Sequence, residues 1–220
     1  MPAGGSMAEL DLERIPRFPT LEFESSLWAA GLTRLAGIDE VGRGALAGPV
    51  YAAAVVLPTR ATILAELYGV RDSKQMTPEE REDWAPVIRE KALAYSIGWA
   101  SCKEIDLYGI APATKLAARR ALKGLPVQAQ HLLLDYIRLE KVTLPQTPVL
   151  GGDARCLSIS AASVIAKVAR DAELRKLDTR FPRYGFGSHK GYATEEHLAA
   201  IKKHGPCLQH RVSFSPMRLE

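Results

Sequence analysis

Three acidic residues stand where apolar runs stop. Asp39, with Glu40 beside it, closes the run that begins at Leu35 and precedes Gly42-Arg43-Gly44; Asp135 closes His131-Leu132-Leu133-Leu134; Asp153 follows Pro148 to Leu150 across Gly151-Gly152. Carboxylates delivered from separate strands to one sheet edge repel one another unless a cation sits between them. With oxygen ligands only, that cation is Mg2+ or Mn2+. One ion activates a water and a second stabilises the leaving oxygen, which is the chemistry of in-line displacement at phosphorus. Glu40 raises a geometrical question, because neighbours on a regular strand face opposite ways. It joins the cluster if the strand ends or bulges there, or through its backbone carbonyl. Taken singly, each acid is more ordinarily a solvated loop residue. The pair directly after an apolar strand and before Gly-Arg-Gly argues for a compensating charge.

The elements that would deliver these acids can be read from periodicity and punctuation. Leu35 to Val41 and Val50 to Leu57 are predicted as a strand pair, followed by an N-capped helix from Thr77-Pro78 and a third strand from Ala94 to Ser101. Pro112 to Leu122 has helical spacing with Gly124 beyond it, and His131 to Asp135 and Pro148 to Leu150 read as buried strands. The longest helix is predicted from Ser158 to about Leu177, then a glycine-rich loop from Tyr184 to Gly191 and a last helix from Thr194 to about His204. This is an α/β chain with a mixed sheet and a C-terminal helical part, and the strand ends are where a site would form. Residues 1–34, rich in proline and acid and then carrying a short apolar stretch around Leu27 and Trp28 that would cap the fold, are expected as a loosely held arm, and 35–220 as the catalytic domain with its helical extension from about 178.

Composition narrows the class. The 220 residues are 47% hydrophobic and 25% charged, as in one globular domain, and 29 Lys plus Arg against 25 Asp plus Glu suit a polyanionic partner without demanding one. Three scattered cysteines without CxxC spacing point to a reduced, cytoplasmic protein and away from a zinc site. No stretch has the apolar length of an export signal or a membrane span, so no membrane association is expected.

The motifs carry a resemblance. Gly37-Ile38-Asp39-Glu40-Val41-Gly42-Arg43-Gly44 with Ala47-Gly48-Pro49-Val50, then Asp72-Ser73-Lys74, Gly152-Asp153 with the segment Ile159 to Asp171, Tyr184-Gly185-Phe186, His189 to Thr194, and His210-Arg211-Val212-Ser213-Phe214 resemble, in order and spacing, the motifs of bacterial type 2 ribonucleases H. The resemblance implies a ribonuclease H-like fold with a mixed five-stranded sheet flanked by helices. It implies endonucleolytic cleavage of RNA in RNA/DNA hybrids and 5′ of single ribonucleotides in duplex DNA, leaving 3′-hydroxyl and 5′-phosphate ends. Asp39, Glu40, Asp135 and Asp153 then occupy the four acidic positions that bind two Mn2+ or Mg2+ ions. Gly42, Arg43 and Gly44 stand where the family reads the ribose 2′-hydroxyl, and Tyr192 where a tyrosine stacks on the sugar. Only glycine lets a backbone approach that hydroxyl closely.

Lys74 and Arg43 are the cations best placed by their motifs to meet phosphates, ahead of Lys167 and Lys190. His189 and His210 read as structural, and Ser160 and Ser163 as helix-start and packing residues. Two departures from the family pattern are Gly151, where lysine is common, and Tyr136, where a small residue is frequent. The expected partners are RNA/DNA hybrid and ribonucleotide-containing DNA, bound by a monomer. A non-catalytic nucleic-acid-binding module and a nuclease for branched DNA are the alternatives. Type 3 ribonuclease H, with a sizeable N-terminal domain, finds no room for it before Leu35.

Overall fold

The computed structural model describes residues 16–217. In chain order the elements are α1 (Glu22–Ala29), β1 (Leu35–Val41), β2 (Val50–Val56), α2 (Ile63–Glu66), α3 (Pro78–Lys91), β3 (Ala94–Ala100), α4 (Cys102–Tyr108), α5 (Ile110–Lys123), β4 (His131–Asp135), β5 (Gln146–Val149), α6 (Gly152–Arg155), α7 (Leu157–Arg180), α8 (Phe186–His189) and α9 (Glu195–His204). The five strands form one sheet in the order β3-β2-β1-β4-β5. β1, β2 and β3 pair antiparallel, whereas β4 pairs parallel to both β1 and β5, so the sheet is mixed as expected.

Side-chain alternation along the strands separates two faces. Ala36 and Ile38 of β1 and Leu132 and Leu134 of β4 join the core that packs on the alanine-lined side of α5. Leu35 and Leu133 face the other way, with Ile159 of α7. The first ten residues of α7, Leu157 to Ala166, are all buried, because this half of the helix runs beneath the sheet rather than along its surface. Gly37 permits the close crossing: a Cβ there would lie 2.3 Å from the Ser158 carbonyl carbon.

Several boundaries differ from the sequence reading. β5 begins at Gln146 rather than Pro148, since backbone pairing with Leu132 starts there. α4, not anticipated, is opened by a capping box between Ser101 and Glu104, a pattern the sequence does display. α8 sits inside the expected glycine-rich loop. Within the arm, the apolar stretch around Leu27 and Trp28 does cover the fold, and it is held more firmly than a loose arm would be. Residues 1–15 lie outside the described residues, but 22–29 form a helix whose Phe23, Leu27 and Trp28 pack against Leu35, Leu133 and Ile159. From that helix the buried Glu24 accepts the Ser158 N–H at 2.8 Å, satisfying a donor at the start of α7. Among the described residues no helix is long and apolar enough to cross a membrane.

Candidate metal and nucleic-acid site

Strand register brings the first two acids together. β1 and β4 are matched with Ile38 beside Leu134, so the next residues along, Asp39 within β1 and Asp135 at the end of β4, lie on adjacent parallel strands about 4.8 Å apart. Both share the face of Leu35 and Leu133, toward α7. Asp153 arrives on the single turn of α6, tied to the same edge by Asp135, whose Oδ1 accepts the Gly152 N–H at 2.7 Å. Asp39 and Asp153 are buried, 5% and 6% exposed, with no cation but lysine at hand.

The electrostatics carry the mark of that crowding. Burial, then Glu40, and then Asp135 and Asp153, hold the Asp39 carboxyl well above the usual carboxylate range, against a hydrogen bond from Ser163 that favours the ionised form. Burial and the neighbouring Asp153 push Asp135 up to about 6. Glu40 is also raised, by burial, with Arg43 working the other way. β1 stays regular through Glu40 and Val41, without the bulge the sequence left open, so Glu40 departs from the face opposite Asp39. It still lines the pocket of about 490 Å³ that Asp39, Asp135, Gly42 to Gly44, Lys74 and Tyr192 share. Its Oε1 meets Arg43 at 3.1 Å, while Oε2 is buried without a partner.

The donor set fits a hard divalent cation, being all carboxylate, with one buried oxygen unclaimed. As the side chains stand, no three acidic, histidine or cysteine groups among the described residues are close enough to chelate one ion. Lys74 takes up part of the charge instead, its Nζ 2.9 Å from Asp153 and 4.0 Å from Asp72. The lysine expected to meet phosphate is thus turned onto an acid. Its place is set by Asp72, whose side chain caps the turn Ser73–Gln75 by accepting the Lys74 N–H. Ser163, read from sequence as a packing residue, is linked through its hydroxyl to Ser73 at 2.8 Å and lines the same pocket as Asp39. Only its register on α7, one turn before Lys167, hinted at that.

The other wall is the Gly42–Gly44 turn and Tyr192. Gly42 has a φ of +89°, and a Cβ there would lie 2.0 Å from Arg170 Nε, so packing and backbone both require glycine. Gly44 has neither constraint: a Cβ would meet nothing within 4 Å. Tyr192, 37% exposed, has its ring 5.4 Å from the buried Arg170 guanidinium. The sequence reading did not single out Arg170 at all; a charged side chain within α7 gives no sign of where it will be buried.

Three histidines anchor the Tyr192 loop. A carbonyl only accepts, so His197 donates from Nδ1 to Tyr192 O at 2.8 Å and must accept at Nε2 from His210 Nε2, 3.1 Å away. His210 Nδ1 in turn accepts the Cys207 N–H. His189 donates to Tyr184 O and accepts from Gly191 N–H. The relay works only with both His197 and His210 neutral, and burial, then the neighbouring His197, lowers His210 to about 4 from 6.5. A depressed pKa contributes stability in full above 6.5 and loses it as pH falls toward 4. Asp135, raised to about 6, has the opposite slope in the same window. The difference between wild type and His210→Asn, which keeps an acceptor for Cys207, isolates the histidine. Chemical denaturation from pH 7 to pH 4 should show the wild type losing up to about 3 kcal/mol more than the variant; parallel curves would contradict the relay.

The two departures from the family pattern lie together. Tyr136 sits at φ 57°, a left-handed conformation, with its ring 73% exposed. Gly151 is also left-handed, at φ 63°. Tyr136→Gly should raise stability by about 0.5–1 kcal/mol in denaturant titration, the relief of the left-handed Cβ outweighing the freer unfolded chain; a loss of stability would show the tyrosine ring to be held by contacts that matter.

A family model described as ribonuclease HII matches residues 36–217. The chain is 49% identical over 200 residues to ribonuclease HII of Synechococcus sp. strain JA-3-3Ab, covering 91% of this chain and 90% of that one. It is 50% identical over 198 residues to ribonuclease HII of Syntrophotalea carbinolica, covering 90% and 93%. Among solved structures it is similar to ribonuclease H2 of Pyrococcus horikoshii OT3, with a TM-score of 0.71, 27% identity, and 84% of this chain and 95% of that chain covered.

Proposed function

Because the chain belongs to the ribonuclease HII family, and is therefore a type 2 ribonuclease H with the ribonuclease H-like fold, we propose that it cuts RNA within duplexes by two-metal-ion phosphodiester hydrolysis. Its substrates are the RNA strand of RNA/DNA hybrids and single ribonucleotides embedded in duplex DNA, nicked on their 5′ side. The products carry 3′-hydroxyl and 5′-phosphate ends. One observation supports this reading above the rest: buried Asp39 and half-buried Asp135, both raised above the usual carboxylate range, line one pocket with the open Gly42-Arg43-Gly44 turn.

Each residue has a task there. Asp39, Glu40, Asp135 and Asp153 would hold two Mn2+ or Mg2+ ions. Those ions, when bound, supply Lewis-acid activation of water and stabilisation of the departing 3′-oxygen. Gly42, Arg43 and Gly44 read the ribose 2′-hydroxyl through their backbone, with Gly44 leaving room for the sugar. Tyr192 offers its ring to the sugar on the opposite wall. Lys74 and Arg43, paired here with Asp153 and Glu40, would meet backbone phosphates once those carboxylates served a metal. The protein acts as a monomer in the cytoplasm, in the removal of ribonucleotides from genomic DNA.

The test is cleavage by purified protein of three end-labelled substrates: a duplex with one ribonucleotide, an RNA/DNA hybrid and an all-DNA duplex, with Mg2+ or Mn2+ and with chelator. Nicking of the first two only, abolished by chelator, is the expected result. Cutting of a branched all-DNA junction, assayed as a fourth substrate, with no cutting of the first two would support a branched-DNA nuclease.

A further inference from the structure

Arg211 is fully buried, and among the described residues no carboxylate lies within salt-bridge distance of it. Its partners are backbone carbonyls, all from one segment: Gly42 O at 2.7 Å, Arg43 O at 2.8 Å and Gly48 O at 2.8 and 3.0 Å. Arg170, equally buried, donates to Ala47 O and Pro49 O in the same segment. Two buried like charges side by side are costly to assemble. What they achieve together is an inward orientation of the carbonyls from 42 to 49.

A trans peptide is planar, with C=O and N–H pointing in opposite directions. Drawing the carbonyls of Gly42 and Arg43 inward therefore turns the N–H groups of Arg43 and Gly44 outward. Both residues are exposed and line the pocket with Asp39. Among the described residues neither N–H has an acceptor, whereas those of Leu46, Ala47 and Gly48 are taken by Gly191 and Gln209. Two unclaimed donors on consecutive residues that line the pocket suit an oxygen that belongs to a ligand.

We infer that Arg211 is the positioning residue for ribose discrimination: its grip on the Gly42 and Arg43 carbonyls aims the Arg43 and Gly44 amides at the 2′-hydroxyl. This rests on the ribonuclease reading above. It assigns to the His210-Arg211 motif a part in substrate choice, 163 residues or more along the chain from the carbonyls it holds. A lysine at 211 keeps the charge but cannot span three carbonyls at once.

Arg211→Lys is compared with wild type for kcat/KM on a duplex with one ribonucleotide, and, in the inert Asp39→Asn background, for Kd on that duplex against the all-DNA duplex. A preference for the ribonucleotide that falls at least tenfold, with affinity for all-DNA duplex unchanged, is expected. An equal loss for both duplexes would overturn the inference, since a merely structural role weakens both. Amide exchange in Asp39→Asn alone gives a second reading if the lysine variant does not fold. Arg43 and Gly44 N–H should be protected by the ribonucleotide duplex and not by all-DNA; equal protection by both would also overturn it. Failure of wild type to cut either substrate would instead count against the ribonuclease reading itself.

Discussion

Asp39→Asn is expected to lower kcat on a single-ribonucleotide duplex by at least about 10³-fold while making the metal-free protein more stable. The two effects have one origin. Asp39 is buried beside Glu40, Asp135 and Asp153, and without divalent metal it must either carry a poorly solvated charge or take up a proton. Asparagine does neither, so about 1–2 kcal/mol should be gained, a few degrees in Tm. Added Mg2+ should raise the Tm of wild type and leave that of the variant where it is. Loss of activity with a fall in metal-free Tm would mean the variant is damaged rather than disarmed. An active variant would remove Asp39 from the metal site.

Gly44→Ala is expected to cost on the order of 10²-fold in kcat/KM on ribonucleotide substrates with no change in Tm. Nothing in the protein lies within 4 Å of the new methyl group, and Gly44 does not need a left-handed backbone. Stability therefore has no reason to move. The methyl projects into the space left for the sugar, so the loss belongs to the substrate complex. Gly42→Ala is the contrast, because its methyl would strike Arg170 and should unsettle the fold. If Gly44→Ala proved unstable, or stable and fully active, the pocket wall would not be the sugar contact.

How much of this can be read from sequence depends on whether the cause is local. Asp39 and Asp135 are legible because each interrupts an apolar strand run with a carboxylate, and parallel pairing of β1 with β4 then makes them neighbours, although only Asp135 ends its strand. Asp153 is legible by position, though not the single turn of α6 that carries it. Glu40 stays ambiguous in sequence, since strand alternation sends it to the far face and only its length and Arg43 bring it to the shared pocket. α1 is legible only as the apolar stretch around Leu27 and Trp28; its helix is masked by an acidic first turn, and its partners lie in β1, β4 and α7. Arg170 and Arg211 are the least legible, because their burial is made tolerable by carbonyls more than 100 residues away. The histidine relay is similar, its tautomers being fixed by loops that fold against one another rather than by neighbours in sequence.

Four carboxylates from β1, β4 and α6 are proposed to bind divalent metal as one unit. Titration of Mn2+ into the free protein, followed by the electron paramagnetic resonance of unbound Mn2+, addresses it without any turnover. Saturable binding is predicted for wild type, displaced by Mg2+ and weakened at least tenfold in each of Asp39→Asn, Glu40→Gln, Asp135→Asn and Asp153→Asn. No saturable binding by wild type, or binding undiminished across all four variants, would contradict it.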